Sequence, residues 1–292
     1  MEFVPYQDLN GRPSIVVDGA PAVGTVLTLS HWPGAPAPDW ARRDTSTEMA
    51  FAYLDRAGAH LAGVRAVSNN HLDQDGLAGV FALVHPDVAL ARRAALVDLA
   101  RAGDFGVFSS RSAARASMAV DHWPNGSYQE LLPRVVELID HVDRFRHLWG
   151  DEDAQLQAGL NALANEEVVI DERPDLDLAV VTGPRVHSMA ITTATPMARL
   201  LFVDGRSYEY ADRYETWVQY VSRRPLARRD QRVLADELNA LEPGSTGWTG
   251  GDPGSIMPSL TGPTESAIEP AVFVATIERF LTSAPPAWDP YA

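Results

Sequence analysis

The sequence predicts an α/β protein with an N-terminal, largely parallel sheet flanked by helices and a smaller C-terminal mixed α/β domain. Three observations carry that expectation. Up to residue 174, short β-branched runs alternate with helical periodicity, the pattern of a parallel sheet covered by helices. Beyond Pro174, strand-like runs follow one another with little helix between them, and helices come afterwards. The chain has 292 residues, with 46% hydrophobic and 22% charged, close to the globular average and long enough for two ordinary domains. The expected domains are 1–174 and 175–292, with a cleft between them.

The elements follow in chain order. Ser14–Val17 (SIVV) is short, β-branched and followed by Asp-Gly, so it reads as a strand ending in a turn. Thr25–Trp32 (TVLTLSHW) is a second strand, closed by a proline-rich loop. Asp44 or Thr45 caps a helix that runs through Arg56, with Glu48 near its first turn. Gly63–Ser68 is a third strand and leads into Asn69-Asn70-His71. A helix follows from about Gly76 to Val84, and Pro86 opens another through Arg101. Phe105–Phe108 reads as a strand, and an Arg/Ala/Ser helix comes next. Tyr128–Trp149 is the clearest helix: Leu131, Val135, Leu138, Ile139, Val142, Phe145 and Leu148 recur at three- and four-residue spacing, and Pro133 fits its first turn. A further helix covers about Glu152–Ala164. In the second half, Asp177–Thr182, Val186–Thr193 and Arg199–Asp204 read as strands. Arg213–Val221, Ala227–Leu241 and Pro270–Leu281 read as helices. The Gly/Pro/Ser/Thr-rich segment between the last two is long for a plain connection, and such loops are often functional.

Composition narrows the chemistry. All 24 basic side chains are Arg, and there is no Lys and no Cys. Schiff-base chemistry, a P-loop lysine, thiolate nucleophiles, disulfides and Cys-based metal sites are thereby excluded. The net charge of −15 argues against duplex nucleic acid as a partner, which needs a basic footprint. A small phosphorylated substrate or nucleotide remains open, as does a homodimer. The N-terminal segment lacks the basic and apolar regions of a signal peptide, and no run approaches the roughly 20 apolar residues of a membrane span. A cytoplasmic protein with no membrane partner is expected.

One segment concentrates reactive groups: Val67–Leu83, VSNNHLDQDGLAGVFAL. His71, Asp73 and Asp75 alternate, so an extended backbone would turn all three to one side at the end of a strand. One imidazole and two carboxylates make a hard N/O donor set suited to Mn2+, Mg2+ or Fe2+, and able to accept Zn2+. Strand ends are also where open α/β sheets bind ligands. Two simpler origins compete. A calcium loop is disfavoured because its last position, counted from His71, is Ala82 where Glu is required. The other is an acidic turn whose carboxylates cap the following helix.

The segment resembles motif one of the DHH phosphoesterase superfamily through His71, Asp73, Asp75 and Gly76, with Ala78 and Gly79 at its small positions. The resemblance implies an α/β domain that holds divalent metals, Mn2+ foremost, and activates a water to attack a phosphoester. It makes His71, Asp73 and Asp75 metal ligands, with Asp73 and Asp75 catalytic. The superfamily's Asp-His-His motif has its nearest counterpart in Asp121-His122, with Trp123 in place of the second His. Asp121 would then be a ligand and His122 catalytic. For the lone Asp that the superfamily carries between these motifs, Asp98 reads as helical and Asp104 as preceding a strand, so neither is chosen. Gly250-Gly251, in Trp248–Asp252, resembles the superfamily's phosphate-binding Gly-Gly motif.

The residues supply further candidates. His31, closing its strand at the same sheet edge, is a metal ligand candidate, and Asn70 beside His71 is a substrate contact. Arg213 and Arg223, in an aromatic and Arg-rich segment with Trp217 and Arg224, would clamp a phosphate. His187 begins a predicted strand and would face the cleft. The expected function is a divalent-metal-dependent hydrolase of phosphoesters. One alternative is an inactive DHH-like nucleotide- or partner-binding protein, prompted by Trp123. The other is a metal-dependent amide or ester hydrolase, prompted by His31.

Overall fold

The computed structural model describes residues 1–288 apart from 33, 57–60, 62, 214–227, 245–246 and 255–256. The protein is α/β, as its sequence predicts, and it divides into two compact units. The first is Met1–Ala154 and the second begins at Gln155, so the division lies inside a helix and not near Pro174.

Four parallel strands form the sheet of the first unit: β1 (Glu2–Phe3), β2 (Ser14–Val17), β3 (Thr25–Leu29) and β4 (Ala66–Ser68), in the order β1-β4-β2-β3. Because all four run the same way, their carboxyl ends share one edge, and β2 has β3 on one side and β4 on the other. Every β2 residue is buried, which is why SIVV shows no polar alternation. Helix α1 (Ser46–Asp55) is capped by Thr45 and not Asp44: the Thr45 hydroxyl oxygen accepts from the Glu48 amide. Helix α2 (Gln74–Val84) is buried from Gln74 through Leu83 and packs between α1 and α4 (Arg93–Phe105). A helix apolar on all sides belongs in a core, and α2 fits that rule.

Several expected elements change form. The helix expected from Pro86 to Arg101 is two: α3 (Pro86–Leu90) and α4. The strand expected at Phe105–Phe108 is absent, because α4 continues to Phe105 and ends on Gly106 in the left-handed region (φ 62°). Asp104 therefore sits in the last turn of a helix. Helix α5 is Arg111–Asp121. Tyr128–Trp149 is broken into α6 (Tyr128–Leu131), a 3-10 turn at Leu132–Arg134, α7 (Val135–Asp140), a second turn at Val142–Phe145 and α8 (Arg146–Ala164). Pro133 has no N–H to continue the first helix. The second break is fixed by Trp149 Nε1, which donates to the Val142 carbonyl at 2.9 Å.

The second unit holds β5 (Val169–Arg173), β6 (Leu178–Thr182), β7 (Arg199–Asp204), β8 (Ser207–Asp212), β10 (Thr249–Gly250) and β11 (Ser259–Thr261) in one mixed sheet, ordered β10-β11-β8-β7-β6-β5. β9 (Arg228–Arg229) pairs with β12 (Pro286–Trp288). The stretch Val186–Thr193 is not a strand: Ser188–Ala194 is helix α9, capped by His187. β6 and β7 are parallel neighbours, and parallel strands need a crossover between them. β6 alternates between two buried faces. Leu178 and Val180 join Leu201, Tyr210, Trp248 and Phe273, whereas Ala179 and Val181 join Ala162, Ile191 and Leu200. Helices α10 (Gln231–Leu241) and α11 (Pro270–Ser283) supply Leu234, Leu238, Phe273 and Ile277 to the first of these clusters. The helix expected at Arg213–Val221 lies outside the described residues beyond Arg213. No helix among the described residues is long and apolar enough to cross a membrane.

Candidate metal centre

Six ionisable side chains meet at the carboxyl edge of the first sheet. Asp18 follows β2, His31 lies just past β3, and His71 comes from the loop after β4. Asp73 and Asp75 flank the start of α2, and Asp104 comes from the end of α4. The expected extended alternation of His71, Asp73 and Asp75 is not what joins them. Asp75 lies in the first turn of α2, and Asp73 is that helix's N-cap.

Two sets of ligand atoms emerge among the described residues: Asp18, His31, Asp75 and Asp104, and Asp18, His71 and Asp73. Within each set the atoms lie within 4.8 Å of one another, and Asp18 belongs to both. His31 Nε2 stands 3.1 Å from Asp104, 3.5 Å from Asp18 and 3.7 Å from Asp75. His71 Nε2 stands 2.7 Å from Asp73 and 3.3 Å from Asp18. The first set is deeply buried. The His71 and Asp73 side chains are 34% and 28% exposed, so the second set is the one that meets solvent.

Backbone amides hold Asp75 and Asp73 in place, and a hydroxyl holds Asp18. Asp75 accepts from the amides of Ser46 and Thr47, both at 2.7 Å, so the N-terminus of α1 orients it. Asp18 Oδ1 accepts from the Ser46 hydroxyl at 2.9 Å. Asp73 Oδ1 accepts from the Gly76 amide at 2.8 Å, which leaves Oδ2 for His71. Asp73 thus caps its helix and faces the cluster at once. The Asn69 side chain accepts from the His71 amide at 2.8 Å and fixes the turn.

The electrostatics are those of a cluster that could hold a cation. Asp18 is fully buried, and its Oδ2 faces the His71 imidazole at 3.3 Å. Burial, then repulsion from Asp73 and Asp75, pushes its pKa well above the usual carboxylate range. Burial likewise raises Asp75; burial also pushes Asp73 up, but His71, the Gly76 amide and Asp18 together bring it below its ordinary value. Burial opposes protonation of His71, but Asp18 and Asp73 overcome it and push its pKa up to about 10. Buried carboxylates this close are costly unless a positive charge compensates them. The donor set is all oxygen and imidazole, which fits Mn2+, Mg2+, Fe2+ or Zn2+.

The other expected site residues lie elsewhere. His122 is exposed and pairs with Glu152 at 2.8 Å, because it follows helix α5 and not a strand. Asp121 accepts from Gln74 Nε2 at 2.8 Å and joins neither ligand set. Arg213 is buried in the second unit and donates to the carbonyls of Thr192, Thr195 and Met197, so its guanidinium ties loops together and is no phosphate clamp. Arg223, Trp217 and Arg224 lie outside the described residues. Gly250 packs on the Gln231 backbone and Gly251 donates its amide to Ser259, so Gly-Gly serves strand pairing and not an open anion loop. His187 caps α9 through Nδ1. Asn70 lies against the centre, with Oδ1 3.2 Å from His71 Nδ1.

Sequence reasoning missed two residues. Asp18 carries the same signal as His71, an ionisable residue just after a β-branched strand, but it reads as an ordinary turn residue. Asp104 was set aside on the expectation of a strand that is helix. Asp98, its rejected neighbour, accepts from the amides of Ser109 and Ser110 and holds the turn after α4.

A family described as of unknown function, DUF6687, matches over residues 1–292. No curated protein and no solved structure matches the chain.

Proposed function

We propose, for a chain that belongs to the DUF6687 family, a divalent-metal-dependent hydrolase acting on phosphoesters. One observation carries the proposal: a fully buried Asp18 carboxylate shared by two sets of possible ligand atoms. The resemblance of His71, Asp73, Asp75 and Gly76 to DHH motif one points the same way.

His31, Asp75 and Asp104 would hold one cation with Asp18, and His71 and Asp73 a second. Bound there, Mn2+ would polarise the phosphoryl oxygen and lower the pKa of a water. In the net reaction water adds at phosphorus, the ester P–O bond breaks, and the departing alkoxide takes up a proton. The chain's own part is positional. Backbone amides of α1 aim Asp75 and oppose the rise that burial imposes on its pKa. Gly76 does the same for Asp73. Entry falls on the His71 and Asp73 side, because the other set is closed to solvent. On this reading His31 and Asp104 would supply the ligands that Asp121-His122 do not, which weakens the case that Trp123 makes for an inactive relative.

The test is a panel of phosphomonoesters, phosphodiesters, carboxylic esters and amides with Mn2+-loaded protein. Phosphoester turnover abolished by Asp73→Ala and by Asp75→Ala is expected. Turnover unchanged in both variants, or confined to esters and amides, would refute the proposal.

A further inference from the structure

We infer that the cavity beside His71 is a subsite for the base of a nucleotide substrate. The inference rests on the phosphoesterase proposal and adds to it the group that the ester carries. The cavity measures about 190 Å3 and is built from three segments of the first unit: residues 3–7, 69–72 and 127–129.

Its walls are of two kinds. One is aromatic. Phe3 and Tyr128 stack with centroids 4.6 Å apart and planes 26° apart, and Tyr6 is anchored by its hydroxyl, which donates to the Ala20 carbonyl at 3.0 Å. The other wall is amide: Gln7, Asn69, Asn70 and Gln129 all line it. Asn69 and Asn70 are set in place by the His71 backbone and ring. Among the described residues no Asp, Glu or Arg lines the cavity, and His71 stands at the end that faces the proposed metal ligands.

That division fits a two-part ligand. The anionic part belongs at His71 and Asp73, where cations would sit. The part deeper in the cavity is uncharged, because among the described lining residues only His71, at the metal-side end, can carry a charge. Amide side chains both donate and accept, which suits the edge of a base. Aromatic faces stack on bases of any kind. The volume is below the roughly 300–1,000 Å3 of sites for whole drug-sized ligands, so one ring system enters and the phosphate stays outside.

The experiment uses the full chain with and without Mn2+. Adenosine, guanosine, cytidine, uridine and, as a sugar control, methyl glucoside are titrated and followed by saturation-transfer NMR. Mn2+ binding is measured in parallel by calorimetry. At least one nucleoside should bind, and Tyr6→Ala and Gln129→Ala should each weaken it about fivefold or more. Tyr6→Phe should keep it, since the stacking face remains, and all three variants should bind Mn2+ like the parent protein. Absence of binding by every nucleoside, binding that Tyr6→Ala and Gln129→Ala leave unchanged, or binding of the glucoside alone would overturn the subsite. Nucleoside binding in a protein that takes no Mn2+ would remove the phosphoesterase proposal and leave the subsite standing, so the two failures are distinct.

Discussion

Removing the charge of Asp18 should act in opposite directions on the two forms of the protein. In the metal-free form, Asp18→Asn relieves repulsion from Asp73 and Asp75 and should raise Tm. With Mn2+ present, the same variant should melt below the parent protein, because both ligand sets lose their shared carboxylate. Mn2+ affinity should fall by more than the roughly 10- to 100-fold typical of losing a residue that only supports a ligand. Calorimetry and thermal melts with and without Mn2+ check both. His71 gives a pH dependence. Its folded pKa of about 10 lies above the ordinary imidazole value of 6.5, so its contribution to stability is full below 6.5 and lost as pH rises through 10. Asp18 and Asp75, also raised, act in the same direction, while Asp73, held low, stays ionised throughout that window. The metal-free protein should therefore lose Tm between pH 6.5 and 10. Mn2+ binding must displace the His71 proton, so stabilisation by Mn2+ should grow over the same range. Melts across that window in EDTA and in Mn2+ are the measurement.

Helix ends do much of the work of aiming these residues. Thr45 caps α1, whose next two amides grip Asp75. Thr45→Ala should cost about 1 kcal/mol by denaturant titration and weaken Mn2+ binding about tenfold by calorimetry. Gly76 is needed by close approach: a methyl group there would collide with the Asn69 amide and the Tyr128 hydroxyl. Arg213 offers the contrast. Its three carbonyl contacts make it structural, so Arg213→Met should cost about 2 kcal/mol or more with Mn2+ affinity unchanged. At this scale the sequence was legible where periodicity was local: β2 stands where it is expected, and β3, α2 and α11 differ from expectation only at their ends. It was not legible where tertiary context decides. Ser188–Ala194 looks β-branched but must be a helix, because β6 and β7 are parallel. The apolar stripe from Tyr128 onward is continuous, yet Pro133 and the Trp149 hydrogen bond break the helix.

The whole molecule explains which half of the site could be read. His71, Asp73 and Asp75 are neighbours in the chain, and a motif finds them. Asp18, His31 and Asp104 join them only because β2 lies between β3 and β4 and α4 returns its end to the same edge. Spacing along a sequence holds no trace of strand order, so Asp18 looked like a turn. The missing Lys and Cys remain informative at this scale: a chain of charge −15 gathers carboxylates and imidazoles at one sheet edge, where a divalent cation is the fitting counter-charge. The most direct test is a crystal structure of Mn2+-soaked protein with anomalous scattering at the manganese edge. Two peaks that share Asp18 as a ligand, one beside His31 and Asp104 and one beside His71 and Asp73, are predicted. An ordered site with no peak at Asp18, or manganese bound only elsewhere, would contradict a metal centre at this sheet edge.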